Sequence, residues 1–141
     1  MNKINFTRVL LGGLVAGVVL NIGEVLLNDV ILGAQMKEFF ARLNLPEPGG
    51  SFVAVAVILT LVIGVVIVWV YAAMRPRLGP GPKTAICAGV IAWIFVCVYC
   101  GVINGILLHV PTNMLVIGVV WCFIEYTLAA LAGAWLYKEE A

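Results

Sequence analysis

Glu24 and Glu125 carry most of the chemistry this 141-residue chain can offer, because each stands inside an otherwise apolar stretch in which no lysine or arginine shares its depth. A carboxylate surrounded by hydrocarbon costs several kcal/mol unless it is protonated, hydrogen-bonded, bound to a cation or paired with a basic group on another molecule. If the two side chains meet, two like charges in low dielectric cannot both stay ionised, and at least one is expected to hold a proton.

The neighbours of each acid are patterned. At about 100° per residue, Gly13, Gly17, Asn21, Glu24 and Asn28 fall along one stripe of a helix. Gly118, Cys122, Glu125, Ala129 and Ala132 share a face of another. Strips of small residues let helices approach closely, so both acids are expected to point inward, with Gly13, Gly17, Gly118, Ala129 and Ala132 as packing positions. Asn21 and Glu125 fall near the middle of their stretches, and Glu24 sits roughly 4.5 Å further out at the helical rise. Cys97, Gly101 and Asn104 form a comparable strip on a third stretch. That makes Asn104 the expected third member of a polar core with Glu24, Glu125, Asn21 and Asn28, and Tyr126 a further hydrogen-bonding neighbour.

Composition dictates the elements that must hold these groups. With 64% apolar and 11% charged residues and a mean hydropathy of +1.15, the chain is expected to be an all-α integral membrane protein. Its length accommodates four spans of roughly 20 residues with short connections. The expected spans cover about residues 9–32, 52–74, 85–108 and 114–136, a single domain in an antiparallel bundle of four transmembrane helices. The first span exceeds a signal-peptide core, contains Glu24 and lacks an Ala-x-Ala site after it, so it is expected to be retained.

The connections separate by charge. Arg75, Arg77 and Lys83 lie in the second, which together with Lys3, Arg8 and Lys138 places both termini on the cytoplasmic side, against Lys37 and Arg42 outside. Proline and glycine in that loop, residues 75–83, are expected to stop both flanking helices. In the first loop Met36, Phe39, Phe40 and Leu43 recur at helical spacing and predict a short interfacial helix. It ends before Pro46 and Pro48, and Ser51 is the expected N-cap of the next span. As a lid this helix would cover an outward-facing cavity; otherwise it lies on the membrane surface.

Other chemistry has little support. Cys87, Cys97, Cys100 and Cys122 all fall within spans, where a thiol is a poor nucleophile or ligand, so packing roles are expected and no metal or cofactor is assigned. His109 is the one histidine, which excludes a haem held by two histidines of this chain. No phosphate-binding glycine loop, Ser/His/Asp set or His-Glu-x-x-His motif occurs, so no catalytic activity is expected. A net charge of +1 argues neither for nucleic acid nor for an acidic substrate, and no nucleic-acid partner is expected. Trp93, Trp121 and Trp135, with Tyr71 and Tyr137, suit interfacial belts, Trp121 lying deeper. A shift of 76 residues pairs Asn28 with Asn104 and several small residues with one another, a weak hint of two related helical hairpins.

In residues 71–84, Tyr-Ala-Ala-Met-Arg-Pro-Arg-Leu-Gly-Pro-Gly-Pro-Lys-Thr, and residues 133–138, Gly-Ala-Trp-Leu-Tyr-Lys, the chain resembles small bacterial inner-membrane proteins of similar length that have no assigned activity. The resemblance implies a bacterial cytoplasmic membrane and the four-span layout, and brings no ligand or site residues. Three functions remain open. The leading one is a non-catalytic accessory or scaffold subunit, self-associating or docking on a larger membrane complex through its small-residue faces and buried Glu/Asn cluster. The others are a proton or small-cation translocator using Glu24 and Glu125, and a subunit binding a lipophilic ligand or cofactor.

Overall fold

The computed structural model describes residues 4–138 and contains, among them, helices and turns without a strand. The four spans are Phe6–Ile31, Gly50–Leu78, Pro82–Leu107 and Thr112–Leu136. The first comprises α1 (Phe6–Val25) continued by a π-helical segment, Leu26–Ile31. A short helix, α2 (Gly33–Arg42), leads to α3 (Gly50–Leu78). The third span comprises α4 (Pro82–Trp93), a π-helical segment Ile94–Gly101 and α5 (Val102–Leu107), and the fourth is α6 (Thr112–Leu136). This is an all-α, multi-pass membrane protein.

Each element starts and stops for local reasons. Asn5 caps α1 by accepting the Arg8 N–H at 3.0 Å. Asn44 and His109, both at φ 53, close α2 and α5 in the left-handed conformation. The residue after each then donates to the carbonyl five residues back, Leu45 to Phe40 at 3.0 Å and Val110 to Gly105 at 2.8 Å, a Schellman closure. Pro82 begins α4 at the first turn, where its missing N–H is harmless.

Two boundary expectations are corrected. Ser51 is not the cap of α3: the helix begins one residue earlier, with Gly49 extended at the cap position and no side-chain bond. The second loop is also shorter than expected, since α3 runs through Arg75, Pro76 and Arg77 to Leu78. Proline removes one intrahelical hydrogen bond there, and Gly79, at φ 81, ends the helix with its N–H on the Arg75 carbonyl at 2.9 Å. Arg75 finds favourable surroundings in that last turn, over the Tyr137 ring at 5.2 Å and the Tyr71 ring at 5.8 Å. Tyr71 and Tyr137 are therefore buried in an edge-to-face pair, which moves them from a lipid-facing belt into the core.

The spans form a ring in which α1 packs on α3 and α6, and α4 packs on the same two from the other side. Glycine makes the tightest seams. A methyl group on Gly64 of α3 would collide with the backbone of Gly13 and Gly17, and one on Gly12 would lie 2.5 Å from the Gly133 carbonyl. Helices in lipid gain from such close approach because van der Waals contact replaces the hydrophobic drive available in water. Gly13, Gly17 and Ala129 thus pack inside the chain, whereas Ala132 is half-buried and Gly118 has no atom within 4 Å of where its Cβ would be. Gly118 is removed from the packing set; Gly12, Gly64, Gly89 and Gly133 supply the close seams instead. The outer perimeter is apolar, from Leu10 and Val18 on α1 to Ile124 and Leu128 on α6.

Candidate functional site

Glu24 and Glu125 come together where α1 faces α6. One ligand atom each from Glu24, Cys122 and Glu125 lies within 4.8 Å of the other two. Cys122 and Glu125 share the face of α6 read from the sequence, one helical turn apart. Glu125 is 4% exposed, and among the described residues neither of its carboxyl oxygens has a hydrogen-bond partner. The Trp121 indole also faces this carboxyl, but its N–H is donated to the Gly23 carbonyl at 3.1 Å.

Gly23 makes room for the site. A Cβ there would stand 2.5 Å from the Glu125 carboxyl carbon, so the acid occupies the space a side chain would fill. Glu24 is half-buried and held differently: Asn28 Nδ2 donates to its Oε2 and to its backbone carbonyl, both at 2.9 Å. Asn28 lies in the first π-helical segment. Asn21 is committed to its own helix and to α3, donating to the Gly17 carbonyl at 2.9 Å and the Val57 carbonyl at 3.4 Å.

A cavity of about 640 Å³ opens at the end of the bundle that carries α2 and reaches Glu24, while Glu125 and Cys122 lie outside its lining. Asn21, Glu24, Asn28 and Asp29 line one wall, and Met36 and Phe40 of α2 with Phe52 and Val57 of α3 line the others. At that end Arg42 fastens α2 to the α5–α6 turn by donating to the His109 carbonyl at 2.6 Å. Toward the other end, the Gly12–Gly133 and Gly13–Gly17–Gly64 seams close the packing directly below.

No family model, curated protein or solved structure matches the chain.

Asn104 does not belong to the site. It is exposed, and its Nδ2 donates to the Cys100 carbonyl at 2.7 Å on its own helix. The cause is the second π-helical segment, Ile94–Gly101: its wider turn carries Asn104 off the Cys97 face on which an unbroken α-helix would put it. The third span contributes Cys97 instead, buried beside Cys122, while Cys100 faces outward. The Cys97–Cys100 pair therefore does not form a dithiol site. Trp93 and Trp121 tie helices together, Trp93 through its N–H to the Val119 carbonyl at 2.9 Å, and only Trp135, 82% exposed, retains a belt position.

Cys122 is the functional candidate that sequence reasoning passed over. It was visible as a member of the Glu125 face, but only the packed structure brings its sulfur to both carboxylates.

Proposed function

We propose that this chain is a non-catalytic, cation-binding membrane protein that holds a small cation between Glu24, at the wall of the α2-side cavity, and Glu125 buried behind it. One observation carries the reading: a buried carboxyl, Glu125, has both oxygens without a hydrogen-bond partner among the described residues and lies within 4.8 Å of a second acid, Glu24, which itself faces the cavity. A polar cluster that served only to fix helix register would satisfy its own acceptors, since a buried unmatched oxygen costs about 1–3 kcal/mol and more when charged. A cation supplies what is missing. Translocation would further require the glycine seams below the site to part.

The setting is a bacterial cytoplasmic membrane with both termini inside, a reading supported by Arg75, Arg77 and Lys83 clustered at the end opposite the cavity. The cavity then opens outward. An accessory subunit docking through small-residue faces is the weaker reading, because Gly13, Gly17 and Ala129 are used within the chain and leave only Gly118 without a packing neighbour among them. A lipophilic ligand has the aromatic wall of the same cavity to rest on, but would leave Glu125 unmatched.

The deciding experiment is equilibrium binding of radiolabelled sodium, calcium, manganese and zinc to the purified protein, followed by flux of the bound ion in proteoliposomes. About one ion per chain is expected for at least one of the four, lost in the E24Q/E125Q double variant. No binding at millimolar concentration, or binding that survives the double change, would remove this function.

A further inference from the structure

Three features could each bear a second function: the aromatic-walled cavity, the Arg75–Tyr71–Tyr137 cluster and the thiol beside the two acids. The thiol decides most, because it discriminates among cations. Hard ions such as sodium, calcium and magnesium are served by oxygen alone, whereas a sulfur donor selects zinc and neighbouring transition metals. We propose that Glu24, Cys122 and Glu125 form a site for a borderline-soft divalent metal of the zinc type, with Glu24 the ligand that also faces the cavity.

This rests on the cation-binding reading above and narrows it. The donor set suits the ion: carboxylate oxygen and cysteine sulfur are both established zinc ligands, and three protein ligands leave a fourth position for water. Tetrahedral bonds of about 2.0–2.2 Å to oxygen and about 2.3 Å to sulfur hold ligand atoms roughly 3.3–3.6 Å apart. From within 4.8 Å of one another, the three atoms need to close by at most about 1.5 Å to reach that spacing. Binding forms one metal–sulfur bond as the Cys122 S–H bond breaks, and the proton is released to bulk water. Asn28 holds Glu24 as an outer partner, as metal-bound carboxylates require. Cys97, beside Cys122, is positioned behind the ligand.

Glu125 gives the site its second, independent support: it is more than nine-tenths buried, unmatched, and directed at the other two ligands. An acidic cluster at a surface would have water in that place.

Cobalt(II) is the probe, added to the purified full chain in detergent micelles. A thiolate-to-cobalt charge-transfer band is expected at one ion per chain, displaced by zinc, lost in C122S and kept in C97A. Affinity should fall at least tenfold in E125Q. Should C122S fail to fold, X-ray absorption on the zinc-loaded unmodified protein decides instead, with one sulfur and otherwise oxygen neighbours expected around zinc. An all-oxygen shell, or a band that persists in folded C122S, would overturn the proposal. Sodium or calcium binding that needs both glutamates but shows no sulfur involvement would overturn it too, while leaving the cation-binding function intact.

Discussion

The carboxyl group of Glu125 lies against the backbone of Gly23, occupying the position a side chain at 23 would take, with Oε2 2.5 Å from where a Cβ would be. A glycine on α1 is thus the complement of an acid on α6. The same residue lends its carbonyl to Trp121, so one backbone position sets both the room for the carboxyl and the orientation of the ring beside it.

G23A tests that fit. The clashing atoms are the free end of a flexible side chain, so the carboxyl swings away rather than the helices parting. Stability is expected to fall by about 1–3 kcal/mol, the usual cost of overpacking, and cobalt affinity at least tenfold. Thermal unfolding in detergent and a cobalt titration measure the two separately. Unchanged affinity in a folded G23A protein would mean that the carboxyl does not need the Gly23 recess.

A glycine seam without a side chain to yield should behave otherwise. In G64A the new methyl group meets the backbone of Gly13 and Gly17, so α1 and α3 must separate along their length. The loss is expected to exceed that of G23A, at the upper end of about 1–3 kcal/mol or beyond. G118A, with nothing nearby, should stay within about 0.5 kcal/mol of the parent. Equal losses at the two positions, read from the same unfolding assay, would contradict the seam.

Much of this was legible in the residues. Spans follow from the apolar runs, and α2 follows from Met36, Phe39 and Phe40 at helical spacing, because both signals are local and periodic. The faces of Glu24 on α1 and Glu125 on α6 follow from the same period. Asn104 shows where that logic stops: extrapolating 100° per residue across Ile94–Gly101 fails, since π-helical turns leave no composition signature and yet rotate everything beyond them. Gly118 shows a second limit, because a small residue on the right face packs only if a partner helix arrives at that height. The proximity of Cys122 to Glu24 is a contact between residues 98 positions apart, set by how α1 and α6 pack rather than by either helix alone.

The two asparagines offer a contrast within one side-chain type. Asn28 bonds the Glu24 carboxyl at 2.9 Å, whereas Asn104 bonds only its own helix at 2.7 Å while exposed. N28A is expected to free Glu24 and lower cobalt affinity about tenfold, in the range seen when an outer partner of a metal ligand is removed. N104A should change affinity less than about twofold. A reversed order in the cobalt titration would show that the third span, and not Asn28, supports the site.

The cavity beside Glu24 is walled on one side by α2, a ten-residue helix with no fully buried residue. Its apolar side is thin, with Met36 and Phe39 packed on the core, so a polar fastening has disproportionate influence on its position. Arg42 provides one, donating to the His109 carbonyl at 2.6 Å while its guanidinium stands 5.2 Å from the Phe39 ring. His109 can present that carbonyl because it closes α5 in the left-handed conformation. R42A should release the C-terminal end of α2 from the α5–α6 turn without touching any group that faces the cation. Hydrogen exchange across Gly33–Arg42 is then expected to speed up at least several-fold, and cobalt should enter and leave faster, with its equilibrium affinity changed less than about twofold. R42K should restore the slow exchange only in part, because an ammonium lacks the planar fork that serves the carbonyl and the ring together. If exchange in α2 is the same in R42A as in the parent, the apolar face alone holds the helix over the cavity, and the Arg42–His109 bond has no part in gating it.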